Sequence, residues 1–238
     1  MKSNQWMVGV FSFIAAAVIA LTVLASAGPA TLVADSPPER GMGPVNGPVD
    51  ISLDRANLIV FSAPELPVAT EIGQSVILSE DFEGTWPAGS WQAFDNDAAT
   101  NGEYFWANRC AGHNSSRSAW AVGGGAQGSS LTCGGFYPDN ADSWMVYGPF
   151  DLTQATSASM DYYFRLQSEC AGTDCSDKKD QLWALATTDF TNYVGWWYAG
   201  NWIQDPRADP NGWVQGTTVD MSSLTGQSQV WVLFVFSS

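Results

Sequence analysis

Carboxylates are the side chains most able to do chemistry here. Glu80, Asp81 and Glu83 stand together in SEDFEG. Asp95 and Asp97 flank Asn96, and Asn101-Gly102-Glu103 follows shortly. Hard oxygen ligands grouped on loops suit Ca2+, which takes about six to eight of them. If Phe82 points into a core, Asp81 and Glu83 project from the opposite face of their strand. The candidate metal ligands are therefore Asp81, Glu83, Asp95 and Asp97; the competing reading is a solvated acidic rim. Paired acids also serve glycoside hydrolysis, but spacing singles out no pair. A second acidic loop, Asp205 to Gly212 (DPRADPNG), places Arg207 where a calcium ligand would be needed, so it reads as a turn-rich surface loop.

Other reactive types are sparse. The single histidine, His113, sits in CAGHNSSRS. Members of a Ser-His-Asp triad are distant in sequence, so such a use is open, though a solvated side chain is the plainer reading. The pattern contains no HExxH, GxSxG or P-loop. Gly123-Gly124-Gly125 lacks the following Lys and helix of a phosphate cradle and reads as a turn where backbones pack closely. Trp196, Trp197, Tyr198 and Trp202 crowd beside the Asp-Pro loop. Exposed indole faces stack on sugar rings, so Trp197 and Trp202 are candidate ligand-binding residues. The alternative is that several of these rings are core.

These residues need a scaffold. Of 238 residues, 45% are hydrophobic and only 14% charged, with Lys+Arg 9 against Asp+Glu 24 and a net charge of −15. Such acidity repels phosphate backbones and excludes nucleic acid as a partner. The hydrophobic content excludes general disorder. Short aromatic or β-branched runs alternate with Gly/Asn/Asp/Ser turns, predicting strands at 76–83, 91–94, 104–108, 119–122, 143–147, 158–166, 182–187, 193–198, 213–220 and 229–236. Met160, Tyr162, Phe164 and Leu166 alternate with Asp161, Tyr163, Arg165 and Gln167, the period of a strand with one buried face. VWVLFVF at 230–236 is apolar on both faces, as a central strand is. The expected fold is an all-β antiparallel sandwich of jelly-roll type over 76–238. The chain stops directly after that apolar strand, so the sandwich is expected to be cut before it closes.

Lys2, the apolar run from Val8 to Ala25 and the small residues Ala25-Ser26-Ala27 read as a secretory signal over 1–27, with an uncleaved membrane anchor as the alternative. Residues 28–75 hold seven of the 12 prolines and are expected to form an extended linker or propeptide. Export favours disulfides among Cys110, Cys133, Cys170 and Cys175. Four cysteines allow three pairings. Cys110–Cys133 and Cys170–Cys175 are preferred because each closes a loop between adjacent strands. A metal site is the alternative, although no CxxC occurs.

The stretch 80–236 resembles the MAM-like jelly-roll domains of exported bacterial proteins, including the C-terminal domain of immune-inhibitor-A-type peptidases and choice-of-anchor J domains. The matching pieces include EDFEGTWPAGSW at 80–91, FDND at 94–97, SAWAVGGG at 118–125, NADSWMVYGPFDL at 140–152 and MDYYFRLQSE at 160–169. The resemblance implies a non-catalytic accessory sandwich, often beside a secreted peptidase. It also implies a structural Ca2+ held by Glu83 and by Asp95 or Asp97. The family's last strand carries an Asp-Asp that this chain lacks. The expected function is adhesion, ligand binding or support of an extracellular peptidase, with an extracellular protein or glycan as ligand. A carbohydrate-binding module of a secreted hydrolase system is the alternative. A membrane is a partner only if the N-terminal segment stays uncleaved.

Overall fold

The computed structural model describes the backbone of residues 7–12 and residues 40–49, 51, 53, 76–97, 102–139, 141–169, 175 and 180–238. Thirteen strands are formed among them: β1 (Met7–Ser12), β2 (Arg40–Pro48), β3 (Ser79–Glu80), β4 (Trp91–Asp95), β5 (Phe105–Arg109), β6 (Ser118–Gly124), β7 (Asp142–Phe150), β8 (Ser159–Leu166), β9 (Gln181–Thr187), β10 (Asn192–Gly200), β11 (Val214–Gln215), β12 (Val219–Asp220) and β13 (Val230–Ser237). One helical turn, α1 (Gly125–Gly128), follows β6. The strands form two antiparallel sheets. One runs β11-β8-β1-β6-β5, with β12 on β8 and β3 on β1; the other runs β2-β10-β9-β13-β7-β4. This is the expected β-sandwich.

The period-two reading of β8 holds: Met160, Tyr162, Phe164 and Leu166 are buried, while Asp161, Tyr163 and Arg165 are partly exposed. They face a core between the sheets that includes Trp106, Trp120, Met145, Phe234 and Phe236. At about 25 cal/mol per Å2, each buried Trp contributes roughly 4–6 kcal/mol before the cost of ordering it. β13 is central, hydrogen-bonded to β9 on one side and β7 on the other. Its apolar character on both faces has a direct cause, because the six-stranded sheet is buried on both faces. Val45, Leu185, Leu233 and Val146 form one row across its outer face. Trp197, Trp183, Val235, Trp144 and Phe94 form the next. Val49, Ile51 and Leu53 pack against this second cluster.

Two expectations change. The Pro/Gly-rich connector was expected to lack regular structure, yet Arg40–Pro48 pairs with all of β10, from Gly200 to Asn192. An edge strand tolerates proline because only one side of it must donate. Pro44 and Pro48 share one parity of the strand, opposite Trp196 and Asn192. Gly43 is needed for a different reason: a Cβ there would lie 2.6 Å from Trp197 Nε1. In addition, Met7–Ser12, within the expected secretory signal, lies as a strand between β6 and β8. The rest of 1–27 lies outside the described residues. Among the described residues no helix is long and apolar enough to cross a membrane.

Two further strand boundaries shift. The strand expected at 76–83 shrinks to Ser79–Glu80. The one at 213–220 divides around Gly216, whose Cβ would collide with the Tyr162 ring.

Candidate functional site

The four expected metal ligands fall in two stretches, Asp81 and Glu83 after β3, Asp95 and Asp97 at the end of β4. Asp81 Oδ1 accepts from the Glu83 amide at 3.0 Å, a local turn. Glu83 is spent on the 113–117 loop: its carboxylate accepts from the Ser116 amide, the Ser116 hydroxyl (2.5 Å) and the Arg117 amide (2.9 Å). The Ser116 hydroxyl and the Arg117 amide hold this carboxyl below its usual value. Asp95 is buried and accepts from the Asp97 amide at 3.0 Å and the Tyr104 amide at 3.3 Å. Among the described residues no three His, Cys, Asp or Glu side chains are grouped as metal ligands. Asp81, Glu83, Asp95 and Asp97 therefore do not assemble as one set.

A carboxylate that the sequence did not single out, Asp142, feels the charges of Asp95 and Asp97. Pairing of β4 with β7 sets Asp95 opposite Ser143, so Asp142 lies at the same end of the neighbouring strand. It accepts from Asn96 Nδ2 (2.7 Å) and Trp144 Nε1 (2.7 Å). Burial raises its pKa, the two hydrogen bonds oppose that, and the charges of Asp95 and Asp97 add to it. A carboxyl raised on folding destabilises the fold once it ionises. The penalty is absent below pH ~3.9, where the unfolded chain also holds the proton, and grows as pH rises through the raised value. Asp142→Asn is thus expected to raise the melting temperature at pH 7, with the two proteins converging at pH 3. A variant less stable at pH 7 than at pH 3, relative to wild type, contradicts this.

The aromatic patch is mostly interior. Trp196 faces the inter-sheet core and donates from Nε1 to the Thr218 carbonyl at 3.2 Å. Trp197 lies on the outer face of the sheet, half-buried beneath Gly43 of β2. Trp202 is only 2% exposed, so it offers no free face for a sugar to stack upon. Its Nε1 donates to the Ala199 carbonyl at 2.9 Å, and its ring packs on Phe164 and Tyr198. The stacking role expected of Trp202 is thereby corrected: the chain reaches back after β10, and Trp202 closes the sandwich end.

Two guanidiniums cap that indole. Arg40 Cζ lies 5.5 Å and Arg207 Cζ 5.6 Å from its ring centre. Both meet Asp205, which is buried. Arg207 donates to it from Nε (2.9 Å) and Nη2 (3.1 Å); Arg40 Nη1 stands 3.5 Å away. Burial alone would raise Asp205, but the Arg207 hydrogen bonds and the two positive charges hold it below its usual value. Arg40, Gly41, Met42, Trp202, Asp205, Pro206 and Arg207 line an open cleft of about 420 Å3. Arg207 was visible in the sequence as a cation inside an acidic loop. Arg40 was not, because it lies in the connector and reaches the cleft only through β2.

His113 stacks on Tyr163 at 3.7 Å and lies 4.0 Å from Asp209. Asp209 is itself engaged by the amides of Asn211 (2.7 Å) and Trp213 (2.9 Å). The nearby Ser115 hydroxyl donates to the Arg117 carbonyl at 2.7 Å, so this loop is knitted to itself. The Cys110–Cys133 disulfide is formed as preferred. Cys175 is also disulfide-bonded, and Cys170 lies outside the described residues. With Cys110, Cys133 and Cys175 oxidised, cysteine metal ligation is set aside for them. No protein family, curated protein or solved structure matches this chain.

Proposed function

We propose that this chain is an exported, non-catalytic sandwich module that binds an extracellular ligand, in adhesion or in support of an associated extracellular peptidase. The observation that supports this reading is the cleft at the β2–β10 end, where charged side chains converge on a solvent-open concavity of ligand size. Elsewhere, Glu83, Asp95, Asp209 and Ser115 are engaged by local backbone groups. The resemblance to MAM-like modules is the ground for an accessory role. The second reading, a carbohydrate-binding module, draws on the same cleft and not on the faces of Trp197 and Trp202. Structural Ca2+ stays part of the proposal on the ground of the resemblance alone, with Asp95 or Asp97 as its candidate ligand.

The test is a screen of the pure full chain against glycans and extracellular proteins, run beside peptidase and glycosidase assays. Saturable binding without turnover is the expected result. Turnover by pure protein would overturn the non-catalytic reading. For the ion, Ca2+ is expected to raise the melting temperature of wild type and EDTA to reverse it. A wild type indifferent to Ca2+ removes the ion from the proposal.

A further inference from the structure

We propose that the Arg40–Arg207 cleft is a binding site for a carboxylate-bearing sugar of the uronate type. This rests on the ligand-binding reading above and names its ligand class. The first ground is charge. The chain carries only nine Lys and Arg against 24 Asp and Glu. Two of the nine converge here on one carboxylate. Arg207 holds Asp205 at two points and Arg40 stands 3.5 Å from it, so one carboxylate faces two guanidiniums and one positive charge is in surplus. A site of net positive charge on a chain of −15 is where an anionic group is attracted and held. A guanidinium presents a planar fork that fits a carboxylate at two points.

The second ground is preorganisation. Arg40 is fixed at its backbone by pairing with Gly200, and Arg207 is fixed by Asp205. Both lie over the Trp202 ring. Holding the donors in place before the ligand arrives spares the cost of ordering two long side chains. The third ground is shape and lining. About 420 Å3 accommodates a sugar ring, and Met42 and Pro206 supply apolar surface for its C–H face.

A peptide added as a strand beside β2 fits less well. Among the described residues β2 is an edge strand whose even positions are Arg40, Met42, Pro44, Asn46 and Pro48. Two of these five have no N–H to give.

The experiment is a titration of the full chain followed by NMR, with methyl glucuronide, methyl glucoside and acetate as probes. The glucuronide is expected to shift the Arg40 and Arg207 Nε–H signals and the Trp202 indole N–H. Arg40→Gln should weaken it by about tenfold, the loss of one charge-assisted contact. Its melting temperature should fall by only a few degrees for the lost Asp205 pairing, because Arg207 keeps its two-point contact with that carboxylate. Arg40→Lys keeps the charge without the fork and should fall between the two. Equal affinity for the glucoside, equal affinity for acetate, or unchanged binding by Arg40→Gln would each overturn the assignment. A different ligand from the screen that binds wild type and Arg40→Gln alike overturns this site while leaving the module reading standing.

Discussion

Replacing Arg109 by Met is expected to destabilise the protein by about 3 kcal/mol, one of the largest effects of any single polar side chain here. The Arg109 guanidinium lies against Trp120 and holds a stretch of backbone with little regular structure of its own. Nη1 donates to the carbonyls of Gly123 (3.0 Å), Gly128 (2.9 Å) and Ser129 (3.0 Å), and Nη2 to that of Leu131 (2.9 Å). Methionine keeps the apolar stem and removes every donor. Water can replace the contact at exposed Ser129, but Gly128 is buried, so its carbonyl loses a partner that is hard to replace. Urea unfolding measures the loss as a lower midpoint at unchanged slope. A variant within about 1 kcal/mol of wild type would show that the segment holds itself, through the Cys110–Cys133 disulfide and α1. Arg109→Lys should recover less than half, since an ammonium cannot span four carbonyls.

Loss of β1 is expected to act on a larger scale. Met7–Ser12 pairs with six consecutive residues of β8, and with β6 and β3 on its other side. At roughly 1 kcal/mol net for each ladder hydrogen bond, the pairing amounts to a sizeable share of the ~5–15 kcal/mol that holds an average domain together. Removing residues 1–27 leaves β8 and β6 without a common neighbour and splits one wall of the sandwich. Hydrogen exchange should then accelerate in Ser159–Leu166 and at Ala119 and Trp120, while β9 and β13 stay protected. Equal protection with and without residues 1–27 would show that β6 and β8 do not depend on this strand. Removal of residues 1–27 by secretory processing and the β1 pairing exclude each other in one molecule.

Much of the scaffold was legible because strand periodicity is local. The β8 alternation and the two-faced β13 needed only their own residues. The Cys110–Cys133 pair followed from loops between neighbouring strands. What escaped was set by partners distant in the chain. β2 was hidden by its prolines, since nothing local says that a strand will lie at an edge. Asp142 lies 47 residues from Asp95 in sequence and meets it only through the β4–β7 register. Grouping acids by sequence proximity therefore joined Asp81 and Glu83 to a corner where they do not belong. Trp202 read as surface because its neighbours are polar and turn-rich. Its burial depends on the loop after β10 folding back on the sandwich end.

The position of β13 also governs the order in which the protein is built. β7 and β9 are made earlier, yet each waits for β13 to lie between them. Until it arrives the six-stranded sheet exists only as two pieces, β2-β10-β9 and β7-β4, separated by an open gap. Such long-range closure is slow, because the loop entropy is spent before any contact rewards it. The nascent chain is thus held open late, with the β7 and β9 edges unpaired until β13 is made.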